Sequence, residues 1–227
     1  MEAADVRAYR EEDRAELLAL FESAGEGAPT ATLWGDLASE AEVYLTPYLD
    51  HEPESAFVAM IEDEPVGYLV GSTGRGALPS EDELLVGAVR RHRLLRRRRA
   101  LAFFSRSMVD AVGDTLTRRP RAGALHDPRW PAHLHINVQR RARGSGLAQG
   151  LIAAFVHHLH QEEVPGVHLQ TLVENSRAVR FFSAQGFTPH GPTPRVPGLR
   201  HEGRPTHQLT MVRSLTAHRG AAGERAR

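Results

Sequence analysis

Residues 133–187 read HLHINVQRRARGSGLAQGLIAAFVHHLHQEEVPGVHLQTLVENSRAVRFFSAQGF, and this stretch decides the fold of the chain. A strand over 132–138 runs into a loop that carries Gly144 and Gly146. The loop opens a helix over 144–161, where Ala148, Leu151, Ile152, Phe155 and Leu159 form one apolar stripe. A second strand follows over 166–173. It ends at Asn175, which opens a second helix over 176–185. His133, His135 and Asn137 share one face of the first strand, because successive side chains of a strand alternate. Amide groups at a helix N-terminus point the same way and the helix dipole favours an anion there, so this strand–loop–helix suits a phosphorylated carrier. Arg141 and Arg143 add positive charge beside the Gly144-Ser145-Gly146 backbone.

Working outward, the same pattern continues on both sides. Residues 5–9 read as a strand and 11–24 as a helix with Leu17, Leu18, Leu20 and Phe21 at helical spacing. Residues 39–50 suggest another helix, interrupted at Pro47. Strands over 56–62 and 66–72 form a hairpin across Asp63-Glu64-Pro65. Residues 81–119 predict one or two helices inserted before the fourth strand and ended by Pro120. After Phe187 starts a short strand, the five prolines of 188–205 predict a long loop, in which His190, Arg195, Arg200 and His201 stand as candidate acceptor contacts. Strand 206–213 closes the fold, and 216–227 is expected to be a flexible tail. The expectation is one α/β domain over 1–215 with a mixed sheet and a helical insertion over 80–120.

Composition bounds the chemistry. The chain has 227 residues, 41% hydrophobic and 25% charged, with zero formal net charge. That is an ordinary soluble composition, and a cytoplasmic enzyme is the expectation. There is no cysteine, which excludes thiol nucleophiles, disulfides and thiolate metal sites. All 28 basic residues are arginine, so a Schiff-base lysine is excluded as well. Thirteen histidines invite a metal, yet no four-ligand spacing is evident, so none is assigned. His157, His158 and His160 read as a solvated helix end. The seven arginines of 90–99 read as a solvated helix face, since net charge is zero and no aromatics interleave them; nucleic acid is disfavoured.

The glycine loop alone leaves several readings open. A Walker loop needs a lysine, and a dinucleotide fingerprint needs a third glycine where Gln149 stands. A plain turn capping a helix remains. Taken together, Arg141-x-x-Gly144-x-Gly146 and Asn175-x-x-Ala178-x-x-Phe181-Phe182-x-x-x-Gly186-Phe187 resemble the two signature segments of the GCN5-related N-acetyltransferase (GNAT) family.

That resemblance implies a mixed sheet whose fourth and fifth strands splay apart around the pantetheine arm of acetyl-CoA. Ile136, Asn137 and Val138 would pair with the pantetheine. Arg141 and the loop from Arg143 through Gly144, Ser145, Gly146 and Leu147 to Ala148 would hold the pyrophosphate. Asn175 would hydrogen-bond the pantetheine, with Phe181 and Phe182 near the thioester. The family commonly has a tyrosine acid at position 182, and Phe182 has no proton to donate. The implied activity is acetyl transfer from acetyl-CoA to a primary amine by direct attack in a ternary complex, with a small molecule or peptide as acceptor. A homodimer is compatible with the resemblance, and no membrane partner is expected. The alternative is an acyl-CoA-binding module without turnover. Candidate bases are His135, His168 and Glu174.

Overall fold

The computed structural model describes residues 4–24, 33–76 and 78–215. In chain order the elements are β1 (Ala4–Ala8), α1 (Arg14–Ala24), α2 (Leu37–Tyr44), α3 (Thr46–His51), β2 (Ala56–Ile61), β3 (Glu64–Ser72), α4 (Glu81–Arg91) and α5 (Arg98–Leu116). They continue with β4 (Ala132–Val138), α6 (Leu147–Gln161), β5 (Gly166–Leu172), α7 (Ser176–Ala184), β6 (Thr188–His190), β7 (Arg195–His201) and β8 (Arg204–Ser214). The sheet runs β1-β2-β3-β4-β5-β8-β6, and β7 pairs with the first part of β8. Neighbours are antiparallel except β4 and β5, which are parallel.

The parallel pair sets the architecture. β4 and β5 are in register only at Ala132↔Val167 and His133↔His168. Beyond those residues each strand keeps its other neighbour, β4 pairing with β3 as far as Val138 and β5 with β8 as far as Leu172. The two strands therefore splay and open a cleft in mid-sheet. A twisted sheet tolerates the gap because α6 covers it from one face, and α6 is apolar where it must be. Leu151, Ile152, Phe155 and Leu159 are buried against Ala132, Leu134, Val167 and Leu169. On the other face, Leu17, Leu45, Tyr48 and Leu49 of α1–α3 pack on Val58, Tyr68 and Val70. Strand alternation sends Leu134, Ile136 and Val138 toward α6, and His133 and His135 toward α3.

Phe155 is the pin of the first layer. It is fully buried, and a Cβ on Gly71 would fall inside its ring, so β3 carries a glycine where the helix comes closest. Phe155→Ala is expected to lower the free energy of unfolding by about 3–5 kcal/mol, from lost burial plus a residual cavity. Urea unfolding at neutral pH checks this, and a loss under about 1 kcal/mol would mean that the layer collapses around the gap.

Several boundaries differ from the sequence reading. The β2–β3 turn is Glu62-Asp63, both at positive φ, so Glu64 and Pro65 belong to β3. Pro65 is tolerated beside a bulge at Ala59/Met60. The helix over 39–50 breaks at Leu45, and Pro47 sits in the first turn of α3, where its missing N–H costs nothing. The glycine loop precedes α6, which starts at Leu147.

The largest correction concerns 188–205, which holds β6 and β7 in place of a long loop. Proline is accepted in β7 because the strand bulges at Pro197-Gly198, between the paired ends Arg195↔His207 and Arg200↔Pro205. Gly198 takes φ +79, a conformation open to glycine. Its amide donates to Asp110 Oδ2 at 2.9 Å, which staples the bulge to α5.

Residues 80–120, expected as a helical insertion, form α4 and α5, which share a small core of Ala88, Leu94 and Ala100 with Trp34 and with Val43 of α2. The arginines of this stretch are partly used within the fold, as Arg91 pairs with Glu42 at 2.8 Å and Arg97 with Asp36. Leu101, Met108, Val109, Val112 and Leu116 of α5 stay exposed. The expected tail at 216–227 lies outside the described residues. No described helix is long and apolar enough to cross a membrane.

Candidate active site

The splay of β4 and β5 opens into a cavity of about 630 Å³. At one end it is lined by Ala142, Arg143, Gly144, Gly146, Ala148 and Gln149, together with Asn175, Arg177 and Ala178. Gly144 and Gly146 take φ +86 and +87, and no atom lies within 4 Å of a Cβ built on either. Glycine is favoured here for two reasons: the left-handed backbone strains other residues, and a side chain would fill the cradle. The first-turn amides of Ala148 and Gln149 donate to no protein group among the described residues. Arg143 and Arg177 make no ion pair among the described residues. Burial, then the neighbouring Arg177 and Arg140, pull the Arg143 guanidinium below its ordinary value. Unpaired cations crowded against free helix amides are a cradle for a polyanion such as a pyrophosphate.

The walls of the cleft are Leu134, Ile136, Asn137 and Val138 from β4, and Leu169 to Leu172 from β5. From Leu134 onward the β5-facing edge of β4 has no ladder partner, so it offers main-chain groups to an extended ligand. Asn175 lines the cleft and also caps α7, its Oδ1 accepting from Ala178 N at 3.2 Å. Phe181 and Phe182 line it as well. Phe182 is 7% exposed and packs edge-on against both Phe181 and Phe187, at 5.2 and 5.9 Å between centroids.

Three of the expected carrier contacts point elsewhere. Arg141 donates to Glu64 Oε2 at 2.8 Å and to Gln139, and it does not line the cavity. The Ser145 hydroxyl turns back to Ala142 O at 2.7 Å. The Leu147 side chain is buried in the core, which leaves its amide as the only group it could offer.

The candidate bases separate cleanly. His135 lines the cavity, and its Nε2 lies 3.0 Å from the Tyr48 hydroxyl. The same hydroxyl lies 2.9 Å from His133 Nε2. A hydroxyl has one proton, so Tyr48 donates to one imidazole and accepts an N–H from the other. Burial, then the nearby His168, lower the His135 pKa to about 4. Burial, then His135 and His168, lower that of His133 to about 3. His168 is buried behind them with its Nδ1 2.8 Å from Trp130 O, and burial lowers its pKa too. Glu174 accepts from His207 N at 3.0 Å and contacts His207 Nδ1 at 2.9 Å, bracing β8 without lining the cavity.

Beyond His135 the cavity reaches Phe21 on α1, Leu33 on the segment before α2, Leu37, Glu40 and Tyr44 on α2, Glu81 on α4, and Val196 and Leu199 on β7. Sequence reasoning missed this end because its parts come from five separate segments and share no motif. Of the expected acceptor contacts, Arg195 and Arg200 are spent on Asp110 and Asp114, and His190 stacks on Trp130. Among the described residues no group of three or more histidines or carboxylates could hold a metal ion.

A sheet split between β4 and β5, with a glycine-opened helix at the head of the gap, is an architecture that seats an extended ligand with an anionic end. The profile of the Acetyltransferase (GNAT) family matches residues 16–187, and the chain belongs to that family. Among solved structures, it is similar to SsHAT, at 21% identity and TM-score 0.59 over 95% of this chain and 100% of that one. It is also similar to YncA of Salmonella typhimurium, a putative acetyltransferase solved with acetyl-CoA, at 14% identity and TM-score 0.58 over 96% and 97%. The ribosomal-protein-alanine N-acetyltransferase of Brucella melitensis matches at 19% identity and TM-score 0.55 over 92% and 99%. At these identities the likeness is one of fold.

Proposed function

We propose that the protein transfers an acetyl group from acetyl-CoA to a primary amine by direct attack in a ternary complex, with His135 as the base. The observation that carries this reading is the position of His135 in the cleft that the splayed strands open beneath the anion cradle. Acetyl-CoA supplies the acyl group as a thioester with a thiolate leaving group. Gly144, Gly146, Arg143 and Arg177 hold its phosphates, the free edge of β4 and Asn175 align the pantetheine arm, and Phe181 and Phe182 exclude water from the thioester.

An imidazole held near pKa 4 is a poor acceptor for the proton of a free ammonium ion. It becomes adequate once the N–C bond forms, because the nitrogen is then a far stronger acid. The first ammonium proton therefore leaves to solvent before attack. His135 takes the second as the bond forms, with Tyr48 holding its ring. That second proton is the one the departing thiolate needs, so transfer balances without an acid at position 182. Thiolate is in any case a fair leaving group, its acid having a pKa of roughly 8.5.

Calorimetric titration with acetyl-CoA, followed by free-thiol release with a panel of primary amines, tests the proposal. Binding with release supports it. Binding without release from any amine leaves the non-catalytic acyl-CoA module, the reading that Phe182 favours. Phe182→Tyr is expected to change kcat by less than about 3-fold, since His135 already carries the proton; an increase of 10-fold or more would assign the limiting step to a missing acid.

A further inference from the structure

We infer that the acceptor is a small primary amine with a single charge, carried on an aromatic or branched aliphatic body and lacking a carboxylate. The inference rests on the acetyl-transfer reading above and deepens it. Charge along the cavity is divided. Among the described residues its only arginines, Arg143 and Arg177, stand at the α6–α7 end, and its only carboxyl groups, Glu40 and Glu81, stand past His135, with Glu81 bonded to Tyr44, whose ring lies 5.8 Å from that of His135. One end suits the polyanionic carrier and the other a cation.

The two carboxylates differ in role. Glu40 is buried, and its Oε1 accepts from Trp34 N and Gly35 N at 3.0 and 3.1 Å, so it holds the loop that walls the cavity. Glu81 sits at the mouth, where Oε1 accepts from the Tyr44 hydroxyl at 2.7 Å. Its other oxygen has no partner among the described residues and remains open to an ammonium. The rest of the wall is mainly apolar, from Phe21, Leu33 and Leu37 on one side to Val196 and Leu199 on the other, with Tyr44 and His135 as its polar members.

Among the described residues no arginine lines this end. Arg195 and Arg200 on the neighbouring strand are paired with Asp110 and Asp114, and Arg97 with Asp36. An amino acid would bring its carboxylate toward Glu81, and toward a Glu40 carboxyl whose pKa burial raises, with no counter-ion among the described lining residues. A polyamine would press its second charge against apolar side chains without a hydrogen-bond partner. The wall is also fixed in place. The β7 bulge is fastened to α5 by Gly198 N to Asp110, Arg106 Nε to Gly198 O at 2.8 Å and Ser107 Oγ to Pro197 O at 3.1 Å. A preformed, mainly apolar pocket with a few polar groups fits a small molecule. In the reaction the N–C bond forms, the C–S bond breaks and the amine proton ends on the thiol. The amide product is neutral, so Glu81 loses its ionic partner and release is favoured.

The test compares 2-phenylethylamine and isopentylamine with phenylalanine, spermidine and a short peptide bearing a free N-terminus, all by thiol release from acetyl-CoA with the full chain. The expected result is a kcat/KM for the first two at least about 100-fold above the others, a gap of roughly 2.7 kcal/mol. Glu81→Gln should raise KM for 2-phenylethylamine about 10-fold, the scale of one charge-assisted hydrogen bond, while the Kd for acetyl-CoA stays put. Preferred turnover of phenylalanine, spermidine or the peptide overturns the inference and leaves acetyl transfer standing. An unchanged KM in Glu81→Gln also counts against it. Absence of acetyl-CoA binding removes both this inference and the function beneath it.

Discussion

Replacing His135 by glutamine is expected to lower kcat by about 100-fold or more, the usual range for a lost general base, with the Kd for acetyl-CoA unchanged. Glutamine keeps a polar end that can meet the Tyr48 hydroxyl, so the neighbourhood is conserved while proton uptake is lost. Glu174→Gln serves as the control, since that carboxylate bonds His207 and does not line the cavity. It should keep most of kcat. The pH profile gives a second reading. With the His135 pKa near 4, the base is already neutral above pH 5, so kcat/KM should rise through pH 6–9 with deprotonation of the amine alone. A limb titrating near pH 6.5 that disappears in His135→Gln would overturn the buried-base account, as would a glutamine variant with wild-type kcat.

The same burial predicts a steep loss of stability in mild acid. His133 and His135 titrate near 3 and 4 in the folded chain and near 6.5 once unfolded. A depressed folded pKa means that the unfolded chain binds more protons throughout the interval between. Stability is therefore complete above about pH 6.5 and falls as pH drops toward 4. Each imidazole contributes a slope of about 1.4 kcal/mol per pH unit. At pH 5 that is roughly 2 kcal/mol each, a large share of a marginal total. His168, shifted the same way by burial, adds to it. The carboxylates held down by arginine, Asp13 and Asp110, lose their contribution only below their unfolded pKa of about 4, so from pH 7.5 to 5 the histidines set the downward slope, opposed by Glu40, whose pKa burial raises. Urea midpoints across that window should fall steadily in the wild type and much less in a His133→Gln/His135→Gln double variant. A flat wild-type midpoint would show that these rings charge within the fold.

How much was legible beforehand depended on how local the information was. Gly144 and Gly146 announce their left-handed backbone, Asn175 its cap, and the 132–138 and 166–173 runs their strands, because each is a property of a few consecutive residues. The prolines of 188–205 misled for the same reason. Proline disfavours a ladder locally, but the bulge at Pro197-Gly198 and the Asp110 carboxylate, 88 residues away, rescue the strand. Arg141 shows the same limit of local information, since its motif position suggests a phosphate while its guanidinium meets Glu64, 77 residues away, at the surface.

The sequence by itself determined the α/β class and the glycine loop that opens a helix, because hydrophobic period and glycine placement act over one or two turns of chain, whereas the splay of the two strands was implied only by the family resemblance. Only the tertiary structure decided which candidate base faces the cavity, that Tyr48 bridges two histidines 85 and 87 residues away, and that Glu40, Glu81 and the β7 wall converge on one end of that cavity. Those choices depend on burial and on which side chains other elements bring alongside, and neither is written in the spacing of residues along the chain.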